Sequence, residues 1–140
     1  MNIVLLESLG VTPQILQSYS RKLESLGHTF TAYERTNDTA TLIKESADAD
    51  ILMIANMPLS GEVIRACKHL KYINIAFTGV DHVDLKAAEE MGVKVSNASG
   101  YSTVAVAELT LAMMLDLLRN VPQIDAACRR CKHSTSGHLF

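Results

Sequence analysis

Apolar and polar positions along this chain follow two periods that take turns. Asn2 to Leu6, Ile51 to Ile54 and Tyr72 to Phe77 are short apolar runs, mostly Ile, Val and Leu, and read as buried strands. Thr29 to Tyr33 alternates in the manner of a second strand in chain order, and Val93 to Val95 reads as a short fifth. Between the strands the apolar spacing lengthens to that of a helix. Thr12 stands as a cap and Pro13 suits a first turn, so a helix is predicted to about Leu26, with Ile15, Leu16, Tyr19, Leu23 and Leu26 on one face and Gly27 ending it. Asp38 opens a second helix through Leu42 and Ile43. Ser60 opens a third, with Val63, Ile64, Cys67 and Leu70 at helical spacing, and Asp84 opens a fourth over Leu85 to Met91, closed by Gly92.

Strand and helix in regular alternation, with short turns, predict parallel strands joined by right-handed crossovers and helices on both faces. The fold expected is α/β: a flavodoxin-like, doubly wound, five-stranded parallel sheet in the order 2-1-3-4-5. The segment Val104 to Leu118 breaks the alternation. Its apolar residues leave almost no polar stripe, so as a helix it calls for cover on several sides, from a second domain or another subunit.

The chain has 140 residues, 48% of them hydrophobic and 20% charged, the balance of a globular domain with a real core. A net charge of -2 gives no electrostatic reason to expect nucleic acid or an anionic membrane surface as partner. The start, Met1-Asn2-Ile3-Val4, has no basic region or cleavage site of a signal peptide. The most apolar segment is shorter than a bilayer span and carries Glu108 and Asp116. A cytoplasmic protein with its three cysteines reduced is the expectation.

The candidate chemistry gathers after the fourth strand. Thr78-Gly79 is a turn at which a glycine lets another group approach the main chain, and N–H groups left free there suit an anion. From that point the order of pieces becomes distinctive: Thr-Gly-Val-Asp-His-Val-Asp, a short helix, Gly-Val-Lys-Val-Ser-Asn, then Gly-Tyr-Ser-Thr and Val-Ala-Glu. This order resembles the D-isomer-specific 2-hydroxyacid dehydrogenases, over most of the chain from Asn2 to about Arg119. The resemblance implies a substrate domain over residues 1–100, in which main-chain N–H groups of Thr78, Gly79 and Val80 hold the carboxylate of a 2-hydroxy or 2-keto acid. It also implies an interdomain loop and helix over residues 101–119. Tyr101 is then a substrate contact, Thr103 lies on the cofactor side, and Asn97, Asp81 and Asp84 fix turn and cap. Ser99 stands where the family usually has proline.

In that family NAD is bound by a separate Rossmann domain whose glycine fingerprint, and the catalytic arginine, glutamate and histidine, follow the long helix. The glycines here, at 10, 27, 61, 79, 92, 100 and 137, form neither G-x-G-x-x-G nor a P-loop. The expectation is therefore a truncated dehydrogenase with no catalytic residue of its own, no cofactor bound to this chain, and a homodimer formed through Val104 to Leu118. The rival is a non-catalytic homodimerisation or docking module. A flavodoxin-like receiver is disfavoured, since it needs an acidic cluster where the chain has Glu7, Ala55 and Asn56.

Other groups read more simply. His82 is expected to face solvent, and Asp48 and Asp50 to form an acidic turn before a strand. The last residues, 120–140, are expected to be helical or frayed. Within them Cys128, Cys131, His133 and His138 are chemically able to hold zinc, but their spacing matches no zinc pattern and no metal site is assigned.

Overall fold

The computed structural model describes residues 1–130. They divide into two compact units, the first Met1–Ser99 and the second beginning at Gly100. In the first unit the apolar runs form strands β1 (Asn2–Leu5), β2 (Thr29–Ala32), β3 (Ile51–Ile54), β4 (Tyr72–Ile75) and β5 (Lys94–Asn97). All pair in parallel, in the order β2-β1-β3-β4-β5. Parallel neighbours need crossovers rather than tight turns. Helices α1 (Pro13–Ser25), α2 (Thr39–Ser46), α3 (Gly61–Ala66) and α4 (Leu85–Glu90) supply them.

Period-two side chains divide the sheet into two unequal faces. Leu52, Ile54, Ile73 and Ile75, with Val4 and Leu6, are buried in one cluster with Leu42 of α2, Val63 and Ile64 of α3, and Ala87 and Ala88 of α4. The other face is covered by α1, none of whose residues is buried. There Ile51, Met53 and Tyr72 are half-buried, and a cavity of about 470 Å³ lies between them and Leu16, Tyr19 and Leu23 of α1.

Local chemistry sets the helix starts. The carboxylates of Asp38 and Asp84 accept from the N–H of Thr41 and Ala87, each at 2.9 Å, and Ser60 Oγ accepts from Val63 N–H at 3.5 Å. Thr12, expected to do the same for α1, makes no side-chain cap bond. Pro13 in the first turn presets the helical φ and removes one of the N–H groups that would be left without an intrahelical partner. Two strand limits also differ from expectation. β4 ends at Ile75 and leaves Phe77 40% exposed, because the ladder to β3 closes at Ala76 N–H on the Ile54 carbonyl. β5 begins at Lys94 rather than Val93, whose N–H is drawn back to the Ala88 carbonyl at 2.8 Å in the turn that ends α4.

The second unit contains α5 (Thr103–Arg119) and α6 (Val121–Arg129). They are separated by Asn120, in the left-handed region at φ 58°, which donates its N–H to the Asp116 carbonyl at 2.8 Å. The large apolar side chains of α5 from Val104 to Leu118 are between 51% and 82% exposed. No helix among the described residues is long and apolar enough to cross a membrane.

Candidate functional site

In an open parallel sheet, ligands sit beyond the carboxyl ends of the strands, near the point where crossovers change direction. Here that point lies between β1 and β3. Three loops stand at that carboxyl edge: the one after β1 beginning with Glu7, the one after β3 from Ala55 to Leu59, and the one after β4 that contains Thr78, Gly79 and Val80.

The last of these has its carbonyls tied and its N–H groups free. Asn97 Nδ2 donates to the Thr78 carbonyl at 2.6 Å, and Val83 N–H donates to the Val80 carbonyl at 3.1 Å. Among the described residues, the main-chain N–H groups of Thr78, Gly79 and Val80 donate to no protein acceptor. Thr78 is exposed, whereas Gly79 and Val80 are half-buried and Val80 packs on the core. A methyl group at Gly79 would come within 2.9 Å of Asp81 Oδ1, the end of an exposed side chain that can turn aside. Main-chain donors without a protein acceptor at such a turn suit a carboxylate or another small anion. The Asp81 carboxylate beside it is exposed, where water and salt weaken its repulsion of such an anion.

The loops after β3 and β4 are joined. Leu59 N–H donates to the His82 carbonyl at 2.9 Å and the Leu59 carbonyl accepts from Asp84 N–H at 3.1 Å, an isolated parallel bridge of Leu59 to Val83. His82 does not face solvent as expected. Its Nε2 is buried and has no hydrogen-bond partner among the described residues, because this bridge draws the half-buried residue inward. Asp84 acts as a cap, as expected, and Asn97 as a tie of the turn.

One carboxylate drew no functional weight from the sequence. Glu7 is 4% exposed and accepts main-chain N–H bonds from residues of the β3 loop. No local pattern announces it, since its partners lie about fifty positions away. Asp50 is structural and sits at the opposite end of the sheet, accepting from Asn2 N–H at 2.8 Å and Lys71 Nζ at 2.6 Å. Those bonds, Lys71 first, hold its carboxyl below the usual range.

Tyr101 and Thr103 belong to the second unit. Tyr101 is exposed before α5 and Thr103 is the first residue of that helix. Cys128 is exposed near the end of α6, while Cys131, His133 and His138 lie outside the described residues. Among the described residues no three His, Cys, Asp or Glu side chains are grouped to hold a metal ion. Among the described residues, those at the start of α5 do not fit a dinucleotide either. A pyrophosphate needs a glycine-rich turn feeding a helix N-terminus, and α5 is entered through Gly100-Tyr101-Ser102 with a single glycine.

Residues 3–137 match the family model described as D-isomer specific 2-hydroxyacid dehydrogenase, catalytic domain. The chain is 36% identical over 121 residues to D-3-phosphoglycerate dehydrogenase of Methanocaldococcus jannaschii, covering 86% of this chain and 23% of that protein. It is 31% identical over 123 residues to hydroxypyruvate reductase of Blautia hydrogenotrophica, covering 86% of this chain and 37% of that protein. Among solved structures it is similar to an NAD-dependent formate dehydrogenase from Staphylococcus aureus in complex with NAD. That likeness has a TM-score of 0.75 and 30% identity, over 97% of this chain and 44% of the other. The chain thus spans less than half the length of each of these relatives.

Proposed function

The chain belongs to the D-isomer-specific 2-hydroxyacid dehydrogenase family, and from that membership we propose that its first unit is the substrate-binding half of an NAD-dependent dehydrogenase acting on a 2-hydroxy or 2-keto acid. The observation that carries this reading is the turn after β4, at the carboxyl edge of the sheet, where the N–H groups of Thr78, Gly79 and Val80 have no acceptor among the described residues. Their role is to bind and orient: a carboxylate held by fixed main-chain donors keeps its neighbouring carbon in one place, and that is the protein's share of a hydride transfer. NAD, when bound in a member of this family, supplies the hydride acceptor. This chain carries no glycine fingerprint for it and no assigned acid–base group, so the chain alone is read as binding without turnover. Tyr101 as a substrate contact and Thr103 on the cofactor side enter this reading through the family alone.

The test is a titration of the ¹⁵N-labelled chain with sodium pyruvate, with sodium chloride as control. The amide signals of Thr78, Gly79 and Val80 are expected to move with pyruvate and to move less with chloride, while calorimetry with NAD gives no binding heat. Amides at 78–80 that ignore pyruvate would overturn the assignment.

A second role is favoured by the exposed apolar side chains of α5. A patch of that size on a helix is an interaction surface or a liability. In this reading Val104 to Leu118 mediates a homodimer, which sedimentation would detect and Leu111→Asp or Leu115→Asp would dissociate. A monomer at all concentrations, indifferent to both changes, would exclude it.

A further inference from the structure

We infer that Glu7 is a positioning residue for Thr78–Val80, acting through the loop after β3; the inference rests on the carboxylate-binding reading of that turn. Glu7 follows β1, the strand beside β3, and is 4% exposed. Its Oε1 accepts from the N–H groups of Ala55, Asn56 and Met57 at 2.7, 2.8 and 2.8 Å. Its Oε2 accepts from Arg35 Nη1 at 3.2 Å, and that same nitrogen donates to Asn56 Oδ1 at 2.9 Å.

Three consecutive N–H groups converging on one point make a nest for an anion. Here the protein's own carboxylate fills the nest, and charge-assisted bonds to main chain and guanidinium offset the cost of burying it. The loop is thereby held in one conformation up to Met57. Pro58 comes next, with its φ fixed by the ring. Leu59, 1% exposed, passes the constraint on through its two bonds to His82 and Asp84. Those bonds bracket Val83, whose N–H closes on the Val80 carbonyl at 3.1 Å. Each step from Glu7 to Val80 is therefore a hydrogen bond or at most two residues of buried or ring-restricted chain. What travels along it is direction: where the β3 loop sits decides where the N–H groups of Gly79 and Val80 point.

The experiment uses the 140-residue chain in four forms: wild type, Glu7→Gln, Pro58→Gly and Leu42→Ala. Leu42, a core residue of α2 that shares a surface pocket with Arg35 and Pro58, holds none of the hydrogen bonds along this path, so its truncation lowers overall stability while leaving those bonds in place. Amide signals of Thr78, Gly79 and Val80 are recorded without ligand and then with pyruvate, alongside the thermal midpoint. Glu7→Gln is expected to displace the three signals and weaken pyruvate binding by about 2- to 30-fold, the range for substitutions along such networks. Pro58→Gly should displace the same signals with Glu7 intact, and Leu42→Ala should lower the midpoint and leave them in place. If Glu7→Gln fails to fold, Pro58→Gly against Leu42→Ala decides the matter. Unchanged signals in Glu7→Gln or Pro58→Gly, or equal displacement in Leu42→Ala, overturn the positioning role. Pyruvate that moves no amide even in wild type counts against the carboxylate reading instead, since the ligand-free signals judge Glu7 independently.

Discussion

Asn97, the last residue of β5, donates its side-chain amide to the Thr78 carbonyl at 2.6 Å. The bond fixes the Thr78–Gly79 peptide unit, whose planar trans geometry turns the Gly79 N–H away from Asn97. Asn97→Ala is expected to cost about 0.5–1.5 kcal/mol, the usual net worth of one hydrogen bond, read from the urea midpoint. It should also speed amide exchange at Gly79. Exchange at wild-type rate would mean that the turn keeps its shape without this tie.

Gly61 begins α3 against the start of α4. A methyl group there would sit 2.6 Å from Arg65 Nη1 and 3.0 Å from Ala87 Cβ, and would collide with Asp84 Oδ2. These neighbours do not yield freely. Asp84 caps α4 through its other oxygen, and Arg65 is paired with Glu90 at 2.7 Å. Gly61→Ala is expected to destabilise by about 1–3 kcal/mol, the range for overpacking a filled site. A thermal midpoint equal to wild type would show that the two side chains move aside.

Asp50 gives the fold an acid-sensitive tie. Its carboxyl is lowered from 3.8, first by the Lys71 bond and then by Asn2 N–H. A carboxyl lowered on folding stabilises fully above its unfolded value and loses that contribution as the pH falls through its folded one. Wild type and Asp50→Asn are therefore expected to differ in urea midpoint at neutral pH, with the gap closing progressively below pH 3.8. Parallel curves down to the acid limit would show that the tie contributes nothing.

Cys67 is expected to resist alkylation in the folded protein. It is 1% exposed, its sulfur contacts Ser46 Oγ at 3.2 Å, and burial pushes its thiol pKa up. Peptide mapping after iodoacetamide should find Cys128, which is exposed, labelled in native conditions and Cys67 labelled only in denaturant. Native labelling of Cys67 would reveal opening of the α2–α3 face.

What was legible in the sequence was what neighbours in sequence decide. The runs at Ile51–Ile54 and around Ile73 specify strands by themselves, and Asp38, Ser60 and Asp84 cap the helices they precede because a cap needs only the next turn. Alternation and crossover handedness pointed to a doubly wound parallel sheet, and β2-β1-β3-β4-β5 is the flavodoxin-like order expected among such sheets. Thr78-Gly79 was visible as a turn after a strand. Glu7 was not, since its partners at Ala55–Met57 become neighbours only once β1 and β3 pair. His82 failed for the same reason: its surroundings depend on the Leu59–Val83 bridge, a contact that no periodicity encodes.

The unequal cover of the two sheet faces sets an order of loss under stress. α1 hides none of its own residues and spans a cavity, so its detachment removes few close contacts. The opposite side locks α2, α3 and α4 into a single apolar cluster. Segments with sparse packing open first, well below global unfolding. Limited proteolysis should therefore nick α1 while the shell of helices beneath the crevice still stands, leaving the three loops at its rim mutually aligned after the molecule has begun to come apart.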